Sequence, residues 1–166
     1  DWAEIVYNYL VPVQNGYMRV HIKKDGTTYA EYYDKKFQFL SQKVISPELP
    51  LPGGFFAGAN NYYLVFGQNN HEESNATEVV RVVKYDKNWN RLQAASVYGV
   101  NTVVPFYAGS LRMTEYMGKL YIRTCHKMYE SSDGLNHQAN MTFVIDENNM
   151  TVSDSEYEVS NIYDAM

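Results

Sequence analysis

The residues with the most evident chemical potential lie in one stretch, residues 126–141, with the sequence HKMYESSDGLNHQANM. It contains two histidines, His126 and His137, together with an Asp-Gly pair and three amide side chains. Neutral imidazole is a common metal ligand and a common general acid or base near neutral pH. The separation of the two histidines fits neither one helix face nor one strand face. The pattern therefore favours hydrogen-bonded structural histidines over a metal site.

Other candidate groups nearby have simpler structural interpretations. Asp133 followed by Gly134 predicts a turn, and calcium binding by that carboxylate is the less favoured alternative. Glu72 and Glu73 resemble a pair of catalytic carboxylates, but neither has an identifiable partner, so a solvated loop is favoured. Cys125 precedes a histidine directly. Adjacent strand residues point to opposite faces, so this pattern indicates an inert thiol and not a nucleophile with its base.

Composition limits the classes of function. The chain has 166 residues, 45% of them hydrophobic, which indicates one globular domain over residues 1–166. Its formal net charge of −5 argues against a nucleic-acid partner, because phosphate binding requires a basic face. No apolar run approaches the roughly 20 residues that span a bilayer. The single cysteine excludes a disulfide within the chain.

A repeat becomes visible when the aspartates Asp34, Asp86 and Asp146 are aligned. They lie 52 and 60 residues apart, and each follows a strand-like run rich in aromatic and β-branched residues. In the first two copies the sequence continues as Asp-Lys-x-aromatic. A carboxylate at this position can accept hydrogen bonds from backbone amides two residues further on, which closes an Asx-turn.

Each repeat reads as four strands, which predicts an all-β protein made of about three four-stranded antiparallel blades of the β-propeller type. The units span about residues 1–45, 46–97 and 98–160. Propellers usually close with about 4–8 blades. We therefore expect either further blades from a larger chain or self-association with other chains.

The insertions in this repeat predict a binding face. In a blade, the loop between the second and third strands emerges on the same side as the connection to the next blade. The long loops at residues 67–77 and 126–141 and the connections at 46–54 and 98–106 thus share one face. The residues predicted to bind a ligand are Asn69, Asn70, His71, Arg112, His126, Tyr129, Asp133, Asn136, His137 and Gln138.

Four segments of the chain resemble a wider group of proteins: ELPLPGGFFAG, YYLVFGQNNHEES, VVRVVKYDKNWNRL and GKLYIRTCHKMYESSDGLNHQANMTFVID. They resemble the blade repeats of uncharacterised secreted or surface proteins of Gram-positive bacteria. This resemblance implies the propeller fold and an extracellular or cell-surface location. It implies no catalytic residue.

Together these patterns predict an extracellular binding module that recognises a glycan or a protein through its loop-rich face. We expect no catalytic activity and no cofactor. One alternative is a hydrolase, lyase or transferase acting on a polysaccharide or an ester, with His126 or His137 as the acid or base. A second alternative is a structural subunit of a surface assembly or fibre.

Overall fold

A computed structural model describes residues 7–107 and 111–156 of the chain. Within these ranges the chain forms twelve β-strands and no helix. The strands are β1 (Asn8–Val13), β2 (Gly16–Ile22), β3 (Thr28–Asp34), β4 (Phe39–Ile45), β5 (Leu51–Ala57), β6 (Tyr62–Gly67), β7 (Glu78–Tyr85), β8 (Arg91–Tyr98), β9 (Arg112–Tyr116), β10 (Lys119–Glu130), β11 (Asn136–Asp146) and β12 (Thr151–Glu156). Accordingly, no helix in the described ranges is long and apolar enough to cross a membrane.

The strands form three separate four-stranded antiparallel sheets, each built from consecutive strands. We name them blade 1 (β1–β4), blade 2 (β5–β8) and blade 3 (β9–β12). Every pairing joins neighbours in sequence, so each blade is a meander of hairpins. The predicted all-β fold with about three propeller-like blades is confirmed.

The repeated aspartates cap the turn that follows the third strand of each blade. In blade 1, Asp34 Oδ1 accepts hydrogen bonds from the backbone N of Lys36 (2.8 Å) and Gln38 (2.9 Å). Asp86 makes the same two contacts in blade 2, and Asp146 makes the first of them in blade 3. The predicted Asx-turn is confirmed in all three units.

Blade 2 lies between the other two blades, and all six residues of its second strand, β6, are buried. One hydrophobic cluster joins blade 2 to blade 1, and a second joins blade 2 to blade 3. Alternation along β6 explains this arrangement: Leu64 and Phe66 face blade 1, while Tyr63 and Val65 face blade 3. The strands of blades 1 and 3 instead alternate buried with partly exposed residues, so each of these blades keeps one open face.

Aromatic packing strengthens the contact between blades 1 and 2. Trp89 lies in the β7–β8 turn with only 7% of its surface exposed, and its ring packs near Phe55 and Tyr62. Its Nε1 donates a hydrogen bond to the hydroxyl of Tyr32 at 3.0 Å. Aromatic side chains contribute large buried areas, so this turn fixes the two blades together.

Candidate functional site

The loops between the second and third strands of blades 2 and 3 meet the connection between these blades on one side of the molecule, which we call the loop face. The backbone N of Asn70 donates to the carbonyl of Val103 at 2.8 Å. The carboxylate of Glu73 accepts hydrogen bonds from the backbone N of Glu130 (2.8 Å) and from Nδ2 of Asn136 (3.1 Å). The predicted convergence on one side is confirmed, but the predicted long loop at residues 126–141 is wrong: residues 126–130 extend β10 and residues 136–141 extend β11, because they pair with each other across the hairpin, so only residues 131–135 form the loop.

Asn70 occupies the centre of the loop face and is only 2% exposed. Its Nδ2 lies within 3.1 Å of the carbonyl oxygens of Ser74 and Thr102, and 3.0 Å from the hydroxyl of Tyr129. Its Oδ1 accepts a hydrogen bond from the backbone N of Ser74 at 3.0 Å. This amide therefore holds the loops of two blades together.

His126 lies beneath the loop face with 0% of its surface exposed. Its Nδ1 is 2.7 Å from Oγ1 of Thr102, and this hydroxyl donates to the carbonyl of Val100 at 3.0 Å. Because the hydroxyl has only this one proton to donate, Nδ1 is the donor to Oγ1 and Nε2 carries the lone pair. Among the residues that the structure describes, none forms a hydrogen bond with that Nε2. Burial lowers the pKa of His126 to about 4, so the ring is neutral at physiological pH.

His137 has a different environment and is partly exposed. Its Nε2 lies 2.8 Å from Oδ2 of Asp133, and this hydrogen bond is the main cause of the lowered pKa of that carboxyl. Oδ1 of Asp133 accepts a hydrogen bond from the backbone N of Leu135 at 3.0 Å, which closes the predicted turn. The structure thus gives the two histidines separate partners.

The other predicted ligand-binding residues are dispersed. Asn69 and His71 are exposed in the loop that follows β6, Gln138 is half-buried on β11, and Arg112 is exposed on β9. A role for these residues in binding a ligand stays a prediction. Within the described ranges, no group of three or more His, Cys, Asp or Glu side chains could hold a metal ion.

A polar cleft of about 440 Å³ lies between blades 2 and 3 on the opposite side of the molecule. We call it the turn-face cleft, because hairpin turns of both blades form its walls. Two carboxylates and one ammonium group lie along it. Its lining residues are Asn60, Asn61, Lys84, Glu115, Tyr116, Met117, Gly118, Glu147 and Asn148.

Glu115 reaches across from β9 to the β5–β6 turn of blade 2. Its Oε1 accepts a hydrogen bond from the backbone N of Ala59 at 2.6 Å. Gly58 makes this approach possible, since a Cβ on that residue would lie 2.4 Å from Oε2 of Glu115. The carboxylate is therefore fixed against the neighbouring blade by backbone geometry.

Glu147 contributes the second carboxylate, directly after the repeated aspartate of blade 3. Its Oε1 accepts a hydrogen bond from the hydroxyl of Tyr63 at 2.6 Å, and its carbonyl accepts one from Nζ of Lys84 at 2.5 Å. Burial and the contact with this carboxylate raise the pKa of Tyr63. The phenol consequently stays protonated and orients the carboxylate.

The rim of the cleft carries two exposed apolar side chains from the β9–β10 hairpin. Tyr116 is 66% exposed and Met117 is 82% exposed. Met117 has a φ of 48° and Gly118 a φ of 75°, so both turn residues adopt the left-handed conformation. This conformation suits glycine or asparagine and is unfavourable for methionine.

No repeat or motif in the sequence indicates this cleft. Glu115 and Glu147 come from different hairpins, and only the packing of blade 3 on blade 2 brings them to one cavity. The available signal was the position of Glu147 immediately after the repeated Asp146.

Comparison with known proteins supports the fold. No protein-family model and no curated protein matches the chain. Solved structures that match include a single-residue variant of Synechocystis apocarotenoid oxygenase (14% identity, TM-score 0.53) and the cobalt-substituted form of that protein (15%, 0.53). A chimera of apocarotenoid oxygenase and RPE65 also matches (15% identity, TM-score 0.54). The alignments cover 85% of this chain but 34% of each of these proteins, so the chain spans about a third of their length.

These matches overturn the functional prediction made from the sequence. The proteins that share the fold are described as an apocarotenoid oxygenase and its chimera with RPE65. The prediction of a binding module that recognises a glycan or a protein, with its polysaccharide-enzyme and surface-fibre alternatives, is therefore wrong, whereas the extracellular location stays a prediction. The error came from treating enlarged loops as a ligand surface. In the structure Asn70 and His126, at the centre of that surface, are buried and bonded to neighbouring loops.

Proposed function

We propose that the chain binds a small organic molecule carrying an ammonium group in the turn-face cleft. The observation that supports this proposal is the presence of two carboxylates from separate hairpins, Glu115 and Glu147, along one cleft of about 440 Å³. Pockets of this size accommodate small ligands and commonly contain a few well-placed polar groups.

The two carboxylates favour a cationic ligand. The cleft lining contains two glutamates against one lysine, Lys84, and Nζ of that lysine donates to the carbonyl of Glu147. Each carboxylate can accept hydrogen bonds from an ammonium group, and such charge-assisted bonds are stronger than neutral ones. Both carboxylates are already oriented, through Ala59 and Tyr63, which reduces the ordering cost of binding.

The rim favours an organic cation over a metal ion. The ring of Tyr116 is exposed at the cleft, and an aromatic face attracts an organic cation at close range. Met117 adds an adaptable apolar surface beside it. A ligand with an ammonium group and a short apolar portion would use the carboxylates and the rim together.

Thermal-shift and calorimetric titrations with a panel of primary amines test the proposal. Suitable probes are putrescine, phenethylamine and ethanolamine, with the uncharged alcohols of matching size as controls. An amine that binds should raise the melting temperature, because a ligand of the native state stabilises it. Equal binding of amine and matching alcohol, or no stabilisation by any amine, would overturn the proposal.

Variants locate the binding site. Glu115→Gln and Glu147→Gln keep the hydrogen-bond acceptors for Ala59 and Tyr63 but remove the charges. Each should weaken amine binding about tenfold, the effect of losing one charge-assisted hydrogen bond. Glu72→Gln in the exposed loop after β6 is the matched control and should bind like the unmodified chain.

A further inference from the structure

The outermost strand of blade 1, β4, has an open edge that can pair with another strand. We propose that the β4 strands of two copies of this chain pair antiparallel about a twofold axis at Gln42, so that the two blade 1 sheets join into one sheet of eight strands. The pairing uses β4 alone, so it depends neither on ligand binding in the turn-face cleft nor on the number of blades.

Solvent reaches β4 along nearly its whole length. Among the described strands it pairs only with β3, and six of its seven residues are exposed. Two apolar side chains are among them: Leu40 is 60% exposed and Val44 is 55% exposed. An edge strand has backbone N–H and C=O groups without strand partners, so an exposed apolar edge is a template for pairing with another chain.

The outer strands of the other two blades lack this combination of features. In β8, four of the eight residues are at least partly buried, and Arg91 at its start forms an ion pair with Glu48. The six residues of β12 include the two acidic residues Asp154 and Glu156. Charged residues on an edge strand are a common means of preventing unwanted pairing.

The one charged residue of β4 does not oppose pairing. This residue is Lys43, and its Nζ donates a hydrogen bond to the carbonyl of Asn88 at 3.1 Å. Because Asn88 lies in the β7–β8 turn, the ammonium group is directed towards blade 2 rather than across the open edge. Of the three outer strands, β4 therefore has the least protection against pairing.

The order of side chains along β4 identifies a second copy as the partner. The strand reads FLSQKVI, in which apolar residues flank three polar ones. An antiparallel pair of β4 strands centred on Gln42 places Leu40 opposite Val44. It also places Ser41 opposite Lys43, and Gln42 opposite Gln42 of the second copy. Apolar groups thus meet apolar groups and no like charges are directly opposite, which is the self-complementarity that a twofold contact requires.

The β3–β4 ladder limits the length of this pairing. It contains a bulge next to Tyr33, and beyond the bulge each residue from Ser41 to Ile45 is opposite one residue of β3. A bulge bends its strand, so the new ladder ends near Leu40. Residues 40–44 form a contact smaller than the roughly 1,200–2,000 Å² of stable interfaces, and we expect a dissociation constant on the order of 100 µM.

Disulfide crosslinking tests the position of the twofold axis. Directly opposite residues of antiparallel strands have Cα atoms about 4.5–5.5 Å apart, which a disulfide can span. With the native thiol removed by Cys125→Ser, Gln42→Cys should therefore give a crosslinked dimer under mild oxidation. Val44→Cys is the matched control on the same exposed strand. Its two copies would lie four residues apart along the ladder, roughly 13 Å, and should crosslink about tenfold more slowly or less.

Charge substitutions at Gln42 test the same axis without a covalent bond. Gln42→Lys and Gln42→Glu each place two like charges directly opposite each other, which should raise the dimer dissociation constant about fivefold. An equimolar mixture of the two variants pairs opposite charges and should recover the dimer. Sedimentation velocity measures the mass, which for the dimer is twice the 19.2 kDa of one chain. Circular dichroism confirms that each variant keeps its β-structure.

Three results would overturn the proposal. A monomer at about 500 µM protein would do so, and would leave the edge of β4 as a site for an extended segment of another protein. Assemblies of more than two chains would exclude a closed twofold contact. Equal rates of crosslinking in Gln42→Cys and Val44→Cys would show that the strands do not pair in this register.

Discussion

Nδ1 of His126 lies 2.7 Å from Oγ1 of Thr102, so a buried imidazole on β10 joins blade 3 to the connection that arrives from blade 2. The threonine hydroxyl in turn donates a hydrogen bond to the carbonyl of Val100. In this chain of two hydrogen bonds the ring proton that is donated to Oγ1 lies on Nδ1. The opposite nitrogen, Nε2, is buried with no hydrogen-bond partner in the described part of the chain, which makes protonation of His126 unfavourable.

We expect acid to destabilise the protein through His126. A histidine in an unfolded chain has a pKa near 6.5, whereas that of His126 is about 4. The unfolded state therefore binds the proton first. The stabilisation from His126 is complete above pH 6.5 and is lost as the pH falls from 6.5 towards 4, by up to about 1.4 kcal/mol per pH unit.

Urea unfolding of the unmodified chain and of His126→Gln between pH 7.5 and 4.5 measures this effect. The variant lacks this titrating group but keeps the others, so the difference in unfolding free energy between the two proteins should decrease as the pH falls. A difference that is constant with pH would show that His126 is not the responsible group.

Asn70→Ala should destabilise the fold by roughly 1–3 kcal/mol, because it leaves buried carbonyl groups of Ser74 and Thr102 without their donor. Chemical denaturation gives this value directly. Asn69→Ala is the matched control, because the side chain of Asn69 is exposed. This substitution should change stability by less than about 0.5 kcal/mol. Similar losses in both variants would contradict the structural role of Asn70.

Gly53→Ala should lower the free energy of unfolding by roughly 1–3 kcal/mol, because the added methyl group overpacks the surroundings of β5 in blade 2. The added Cβ would lie 2.6 Å from Cζ of Phe106 and 2.9 Å from Cγ1 of Val65. Adding Phe106→Leu removes the ring atom that clashes. The double variant should therefore be more stable than the sum of the two single effects, and simple additivity would argue against this contact.

Met117→Asn should stabilise the β9–β10 hairpin by roughly 0.5–1 kcal/mol, since asparagine followed by glycine suits a turn with two left-handed residues. Met117 is 82% exposed, so the substitution removes little packing. If the rim contributes to ligand binding, the same substitution should weaken amine affinity while raising the melting temperature. Stability and affinity that rise together would remove Met117 from the binding site.

The sequence predicted the local structure well, because the signals were themselves local. The aspartates Asp34, Asp86 and Asp146 form their turns from adjacent backbone groups, and the hairpins on either side of them need no distant contact. The packing of the blades on one another was harder to predict from the sequence. His126 was visible in the sequence as a candidate for chemistry, yet its burial depends on residues 100–102 of the connection from blade 2.

The turn-face cleft was missed for a related reason. Glu115 lies in an ordinary alternating strand, and Glu147 lies in an ordinary turn. Their common cavity arises from packing between two repeats, which the pattern within one repeat does not describe.

The enclosure of blade 2 on both faces has a consequence for how the molecule opens. Every strand pairs with its neighbour in sequence, so each blade can form or fray as a local unit. Blade 2 can expose its buried strand β6 only after losing one of its neighbours, whereas most of the outer strand β4 of blade 1 already faces solvent. Amide hydrogens of β6 should therefore exchange with deuterium at the rate of global unfolding, and those of β4 should exchange earlier through local opening.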